Sequence, residues 1–150
     1  MTTNEQWNTA LELLENCREG ILSTHSLDVP GYPFGSLTPY ALDQNNRPVI
    51  LISAIAQHTK NLITNPKVCL TVAETADTQN KQALARLSFM ADAELVSKDQ
   101  DTFDRYFARF PESRAYFGTH DFAFYRLNPV RLRFIGGFGK IFWIEKEALK

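Results

Sequence analysis

The sequence is poor in groups that bind metals or attack substrates. Its two cysteines, Cys17 and Cys69, stand far apart, and neither has a neighbouring Cys or His. The three histidines, His25, His58 and His120, form no HxxxH or HExxH pattern. A metal site and a disulfide framework are therefore not expected, and reduced thiols are the default. No GxSxG elbow or GxxxxGK[ST] loop occurs, so no catalytic nucleophile or acid–base pair is assigned. No stretch approaches the roughly 18 consecutive apolar residues of a membrane helix. The first twenty residues carry charges throughout, unlike a signal peptide or anchor. Charge of one sign is also missing: 16 basic and 17 acidic side chains leave a net charge of −1, which does not favour nucleic acid or an anionic membrane as partner. These absences predict a soluble, cytoplasmic protein.

What is present is an ordinary globular composition with an aromatic excess. A chain of 150 residues, 44% of them hydrophobic, is expected to form one domain spanning 1–150 with a sizeable core. Eleven phenylalanines, all but Phe34 after position 86, demand a bulky core or a hidden flat surface.

Trp7, Ala10, Leu11, Leu14 and Cys17 fall on one helical stripe, with Gly20 as the expected C-terminal cap. A short strand follows at 21–24. Residues 35–42 and 48–53 predict a hairpin across the turn-rich Asp43–Arg47. A short helix at 56–65 is stopped by Pro66, and 67–74 is β-rich. Ala85, Leu87, Phe89, Ala91, Ala93 and Leu95 alternate with polar residues, the mark of a long half-buried strand. Ser97-Lys98-Asp99-Gln100 opens a helix with Phe103, Tyr106, Phe107 and Phe110 on one stripe, closed by Pro111. Extended segments at 122–127, 131–135 and 140–145 complete the chain. Helices interrupt the strands without alternating with them. This predicts an α+β, mainly β fold whose antiparallel strands curl into a small barrel.

Three segments carry weak chemical signals. At 52–62, a strand ending in Ser53 leads into a helix opening with His58, Thr59, Lys60 and Asn61. A helix N-terminus favours anions, and Ser53 and Thr59 add donors suited to phosphate. Read alone, the plainer account is the better one: Thr59 caps the helix and Lys60 is solvated. Arg86, beside Ser88 on the polar side of the long strand, reads singly as a surface charge. In 33–40, Gly35 marks a close approach by a ligand or another backbone, or simply an edge strand. Gly136-Gly137-Phe138-Gly139 does not match a dinucleotide loop and reads as a bend between strands.

In combination, Pro33–Tyr40, the HTKNL run at 58–62, the Arg86 strand, and 121–127 leading to the FIGGFG run at 134–139 resemble the FMN-binding split-barrel proteins related to pyridoxamine 5′-phosphate oxidase. The resemblance is strongest to the branch containing the haem-utilisation proteins and covers roughly residues 5 to 145. It implies a six-stranded antiparallel split β-barrel with flanking helices, paired as a homodimer with FMN in interface grooves. By position, Gly35, Ser36 and Leu37 would line the flavin ring. Ser53, His58, Thr59, Lys60 and Asn61 would surround the phosphate and ribityl chain. Arg86, Gly137 and Phe138 would come from neighbouring strands or the partner. The resemblance implies an FMN-dependent oxidoreductase of unknown substrate. Haem on the same fold, or a cofactor-free dimeric ligand-binding module, are the alternatives. Where pyridoxamine-phosphate oxidising members carry Arg-x-His, this chain has Arg131-Leu132-Arg133. Haem-degrading members use a C-terminal histidine, for which His120 or His58 would have to substitute.

Overall fold

The computed structural model describes residues 1–118, 121–137 and 139–149. Helix α1 (Thr3–Asn16) opens on a capping box in which the Thr2 hydroxyl accepts from the Glu5 amide and the Glu5 carboxylate accepts from that of Thr2. Its stripe buries Trp7, Ala10, Leu13 and Leu14. The helix ends at Cys17, so Gly20 is not its cap. Gly20 lies inside strand β1 (Glu19–His25), where a Cβ would stand 2.6 Å from the Thr71 carbonyl oxygen of the neighbouring strand. Glycine is needed there for close approach of two backbones.

The expected hairpin between 35–42 and 48–53 does not form as one unit. The chain divides at Tyr40 into β2 (Pro33–Pro39), which pairs with β1, and the two-residue β3 (Ala41–Leu42), which pairs with β4 (Pro48–Ser53). Tyr40 is fully buried, and its hydroxyl donates to the Leu14 carbonyl at 2.7 Å, tying the division point to the end of α1. The turn between β3 and β4 holds Asn46 at φ +61°, a left-handed conformation that asparagine tolerates. Helix α2 (Gln57–Thr64) leads into β5 (Lys67–Ala73) and the long β6 (Arg86–Val96).

The β6 alternation holds through Ala93 and then changes face: Leu95 is 57% exposed while Val96 is buried. The reason is α3 (Gln100–Arg109), which packs its aromatic stripe on the opposite side of the sheet from the main core. Asp99, not Ser97, is its N-cap, accepting from the Thr102 amide. A short α4 (Arg114–Phe117) precedes β7 (Phe122–Gly136) and β8 (Lys140–Glu145). The two extended segments expected at 122–127 and 131–135 are thus one strand of 15 residues running through Pro129. The β6–β7 register slips there, leaving Val130 as the extra residue of a bulge.

The expected six strands are eight, in one antiparallel sheet ordered β2-β1-β5-β6-β7-β4-β3, with β8 beside the second half of β7. The extra count comes from the break at Tyr40 and from β4 and β8 sharing one side of β7. The sheet curls: Leu22, Leu70, Phe89, Leu132, Ile144 and Ile50, from strands spread across it, join Trp7 and Leu14 of α1 in one core. Phe124, Val96 and Val49 face a second cluster under α3 with Phe103, Tyr106 and Phe107. No helix among the described residues is long and apolar enough to cross a membrane.

Candidate functional site

Alternation along β2 decides which motif residues meet. Phe34, Ser36 and Thr38 point to the α2 side, and Pro33, Gly35 and Leu37 to the outer face. Helix α2 lies over Thr24 and Ser36. Its first turn has Ala56 at the N-cap and no side chain capping it. His58 Nδ1 shares a 3.2 Å hydrogen bond with the Ser36 hydroxyl, while the buried His58 Nε2 and Thr59 Oγ1 have no partner. Either imidazole tautomer leaves one ring nitrogen unsatisfied. A bare buried polar atom costs about 1–3 kcal/mol and calls for an explanation, a ligand being one.

Burial lowers the His58 pKa below its ordinary 6.5. The unfolded chain therefore takes up a proton at His58 before the folded chain does, so stability falls as pH drops from about 6.5 toward the lowered value. In thermal melts from pH 7.5 to 5, His58→Asn should flatten this slope; an unchanged slope would exclude the group.

Asn61 is wholly buried and committed to protein partners. Its Nδ2 donates to Thr24 Oγ1 at 3.0 Å, and its Oδ1 accepts from the Leu27 amide and from Gln57 Nε2, each at 3.1 Å. The Ser53 hydroxyl accepts from the Ile55 amide. Lys60 is exposed, without an ion pair among the described residues. The fold thus joins Ser36 to His58 and Thr24 to Asn61 under α2, leaves Ser53 bonded to its own turn, and turns Gly35 and Leu37 to the other face of the edge strand.

Arg86 and Gly137 lie elsewhere in the chain. Arg86 shares a row with Ala73, Ile135 and Ile141, six residues along β6 from Asp92. That is about 20 Å at the strand rise of about 3.3 Å per residue. Its guanidinium donates to the Gln82 and Leu84 carbonyls. Gly137, at φ +54°, borders a cleft of about 820 Å³ between α1 and the strand ends, also lined by Glu12, Cys17, Glu74 and Lys140. Phe138 and His120 lie outside the described residues. Among those described, no three His, Cys, Asp or Glu side chains converge as a metal site.

The outer face carries a second concavity that the motifs did not mark, a slot of about 480 Å³ over β1, β5, β6 and the β7 bulge. Met90, Val130 and Pro33 give it apolar walls, and His25, Lys67 and Asp92 lie at its polar margin, with Cys69 and Ser23 between. Its volume lies within the usual range for small-molecule sites, roughly 300–1,000 Å³. Extending the β1 alternation by one residue, from Ile21 and Ser23 to His25, is the signal that reveals it. An apolar slot with an imidazole and an ammonium fits a flat, apolar group carrying a metal and anionic substituents.

The chain matches the family described as "CREG, beta-barrel" over residues 1–149. It belongs to that family. Within curated proteins, this CREG-type chain is 37% identical over 133 residues to the chloroplastic heme oxygenase HOZ of Arabidopsis thaliana, covering 87% of this chain and 40% of that protein. It is 32% identical over 138 residues to heme oxygenase HutZ of Vibrio cholerae, covering 85% of this chain and 76% of HutZ. The chain therefore spans well under half of the plant relative's length. The crystal structure of HutZ, described as a heme storage protein, superposes with TM-score 0.64 at 28% identity, over 81% of this chain and 88% of that one. A heme binding protein from Mycobacterium smegmatis superposes with TM-score 0.86, covering 99% of this chain and 60% of that one; at 23% identity it supports the fold alone. These relatives place the CREG-type chain in the haem-utilisation branch of the split-barrel proteins.

Proposed function

We propose that this chain binds haem, as a homodimer whose outer sheet faces meet. The observation that carries the reading is the outer-face slot, with apolar walls for the ring and a polar margin for iron and carboxylates. The identities of 37% and 32% to proteins named heme oxygenases support it. Haem, when bound, would supply the iron and its redox chemistry; the chain supplies the slot, the charges and the exclusion of water.

The surface around the slot supports the dimer. Leu37, Ile21, Thr71, Ser88, Arg133 and Trp143 form one row across β2, β1, β5, β6, β7 and β8. In that row and beside it, Leu37 is 63% and Ile141 55% exposed, and Ile21, Met90, Val130 and Trp143 are also uncovered. Arg131 and Arg133 stack on the Trp143 ring at 4.0 and 5.0 Å, and Arg131 also pairs with Glu145. Apolar and aromatic residues edged by arginine are the composition of an interface core. Pairing through this face would also carry the partner's Arg86 row toward the site, a distance one chain cannot span.

FMN in the same dimer is the second reading, favoured by the uncapped first turn of α2 and the unpartnered Thr59 hydroxyl. One experiment separates the two. The purified chain is mixed with haemin or with FMN, desalted, and its absorption and mass are recorded. A Soret band retained by a species of twice 17.1 kDa is the expected result. Retained flavin bands with no Soret band would favour FMN, and a colourless 17.1 kDa species would sink both readings.

A further inference from the structure

We infer that His25 is the side chain of this chain that ligates the haem iron, with the ring lying in the slot against Met90 and Val130 and one of its carboxylates on Lys67. The inference rests on the haem reading above and names the ligand within it.

The geometry separates the possible ligands. His25 ends β1 on the outer face, opposite Pro33 of the edge strand β2. Its side chain is exposed at the slot and makes no hydrogen bond or ion pair with the described residues. Pro33 offers no donor or acceptor side chain, so nothing opposite competes for the imidazole. His58 has the reverse arrangement. It lies on the α2 side of the sheet, one nitrogen engaged by Ser36 and the other buried, so iron in the slot cannot reach it without moving α2. Cys69 lines the slot beside Ser23, but burial pushes its thiol up, away from the thiolate that ligates metals. His120 is outside the described residues.

Charge placement agrees. Lys67 lies at the slot margin opposite Asp92 in the β5–β6 register, yet the two form no ion pair. The ammonium is free to meet an anionic substituent of a ligand.

The backbone carrying His25 is held on both sides. Asn61 donates to Thr24 Oγ1 before it and accepts from the Leu27 amide after it. The Ser26 amide donates to the Tyr32 carbonyl, closing the following loop. Asn61 belongs to the HTKNL run, so that run contributes to the outer-face site by fixing the strand end from behind. Bonds on both sides of His25 fix the direction in which its side chain leaves the strand end.

The test is a haemin titration of the wild type and of His25→Ala, followed by the Soret position and the spin state of the ferric complex. Iron-free protoporphyrin IX serves as the control probe. His25→Ala should bind haemin at least tenfold more weakly and lose the imidazole-ligated spectrum. It should bind iron-free porphyrin as the wild type does, since the ring contacts remain. Added free imidazole should restore the wild-type spectrum. His25 is exposed, so a folding defect is not expected, and the porphyrin control would reveal one. If His25→Ala keeps both the haemin affinity and the spectrum, or if His58→Ala alone removes the imidazole signature, the ligand assignment is wrong while haem binding stands. If the wild type takes up no haemin, the haem reading falls and the assignment with it.

Discussion

Arg126→Met is expected to lower the unfolding free energy by about 3–5 kcal/mol, the usual cost of leaving a buried ion unpaired. Arg126 projects from β7 on the α3 side. Its Nε donates to Asp43 at 2.6 Å and its Nη2 to Asp99 at 2.9 Å and Thr102 at 3.2 Å, with Glu94 at 3.5 Å. The Asp43 side chain is only 2% exposed, and its other oxygen accepts from the Asn45 and Arg47 amides of the β3–β4 turn. The Thr102 hydroxyl and amide, joined by Arg126, hold the Asp99 carboxyl below its ordinary range. One guanidinium thus joins the turn, the cap of α3 and the centre of the sheet. Removing it strands the Asp43 carboxylate, whose cost far exceeds that of a lost surface pair. Thermal melting should show a drop of about 6–20 °C for a chain of this size. Combining the change with Asp43→Asn should cost clearly less than the sum of the two, because the stranded charge is gone. Strict additivity, or a loss below about 1 kcal/mol, would show that the network contributes little.

Phe124→Ala should cost a similar amount, about 3–5 kcal/mol, by a different mechanism. The ring is wholly buried at the middle of the α3 cluster. It stacks on Phe103 at 4.6 Å and 19°, and meets Tyr106 and Phe107 nearly edge-on at 5.3 and 5.6 Å. Four of the eleven phenylalanines, Phe103, Phe107, Phe117 and Phe124, are accounted for in this one contact set. Its loss leaves a cavity that rigid strands on one side cannot collapse to fill. Chemical denaturation reports the total, and hydrogen exchange should show the α3 amides losing protection before those of β5 and β6. Retained α3 protection together with a loss under about 1.5 kcal/mol would mean that the helix is held by other contacts.

The aromatic excess has one bland cause and one of interest. Most of the buried rings are divided between the main core, with Trp7, Tyr40, Phe89 and Phe134, and the second core under α3, with Phe103, Tyr106, Phe107 and Phe124. Trp143, with Arg131 and Arg133 over it, stays on the open face of the sheet beside the proposed haem slot.

Local chemistry by itself determined most of the elements. The Trp7–Leu14 stripe, the aromatic stripe of α3 and the β6 alternation are periodicities that only one burial pattern satisfies. The loop at 43–47 follows from side chains and φ values available within five residues. The family, too, was legible, because its motifs are short and contiguous. Pairing was not legible. Residues 33–39 and 41–42 look like one strand until Tyr40 reaches the end of α1, a contact that nothing nearby in sequence encodes. Pro129 reads as a break, and only the presence of β6 and a bulge carries the strand through it. Arg126 looks like any strand arginine, since its three carboxylates come from separate segments. Gly35, Ser36 and Leu37 are adjacent in sequence but face opposite sides of an edge strand, so one motif serves two faces. His25 shows the same limit most clearly: a lone histidine at a strand end lines a slot only because β5, β6 and the β7 bulge lie beside it. Periodicity is a local property and survives in the sequence; a site depends on which strands are neighbours, and that was decided by burial summed over the whole sheet.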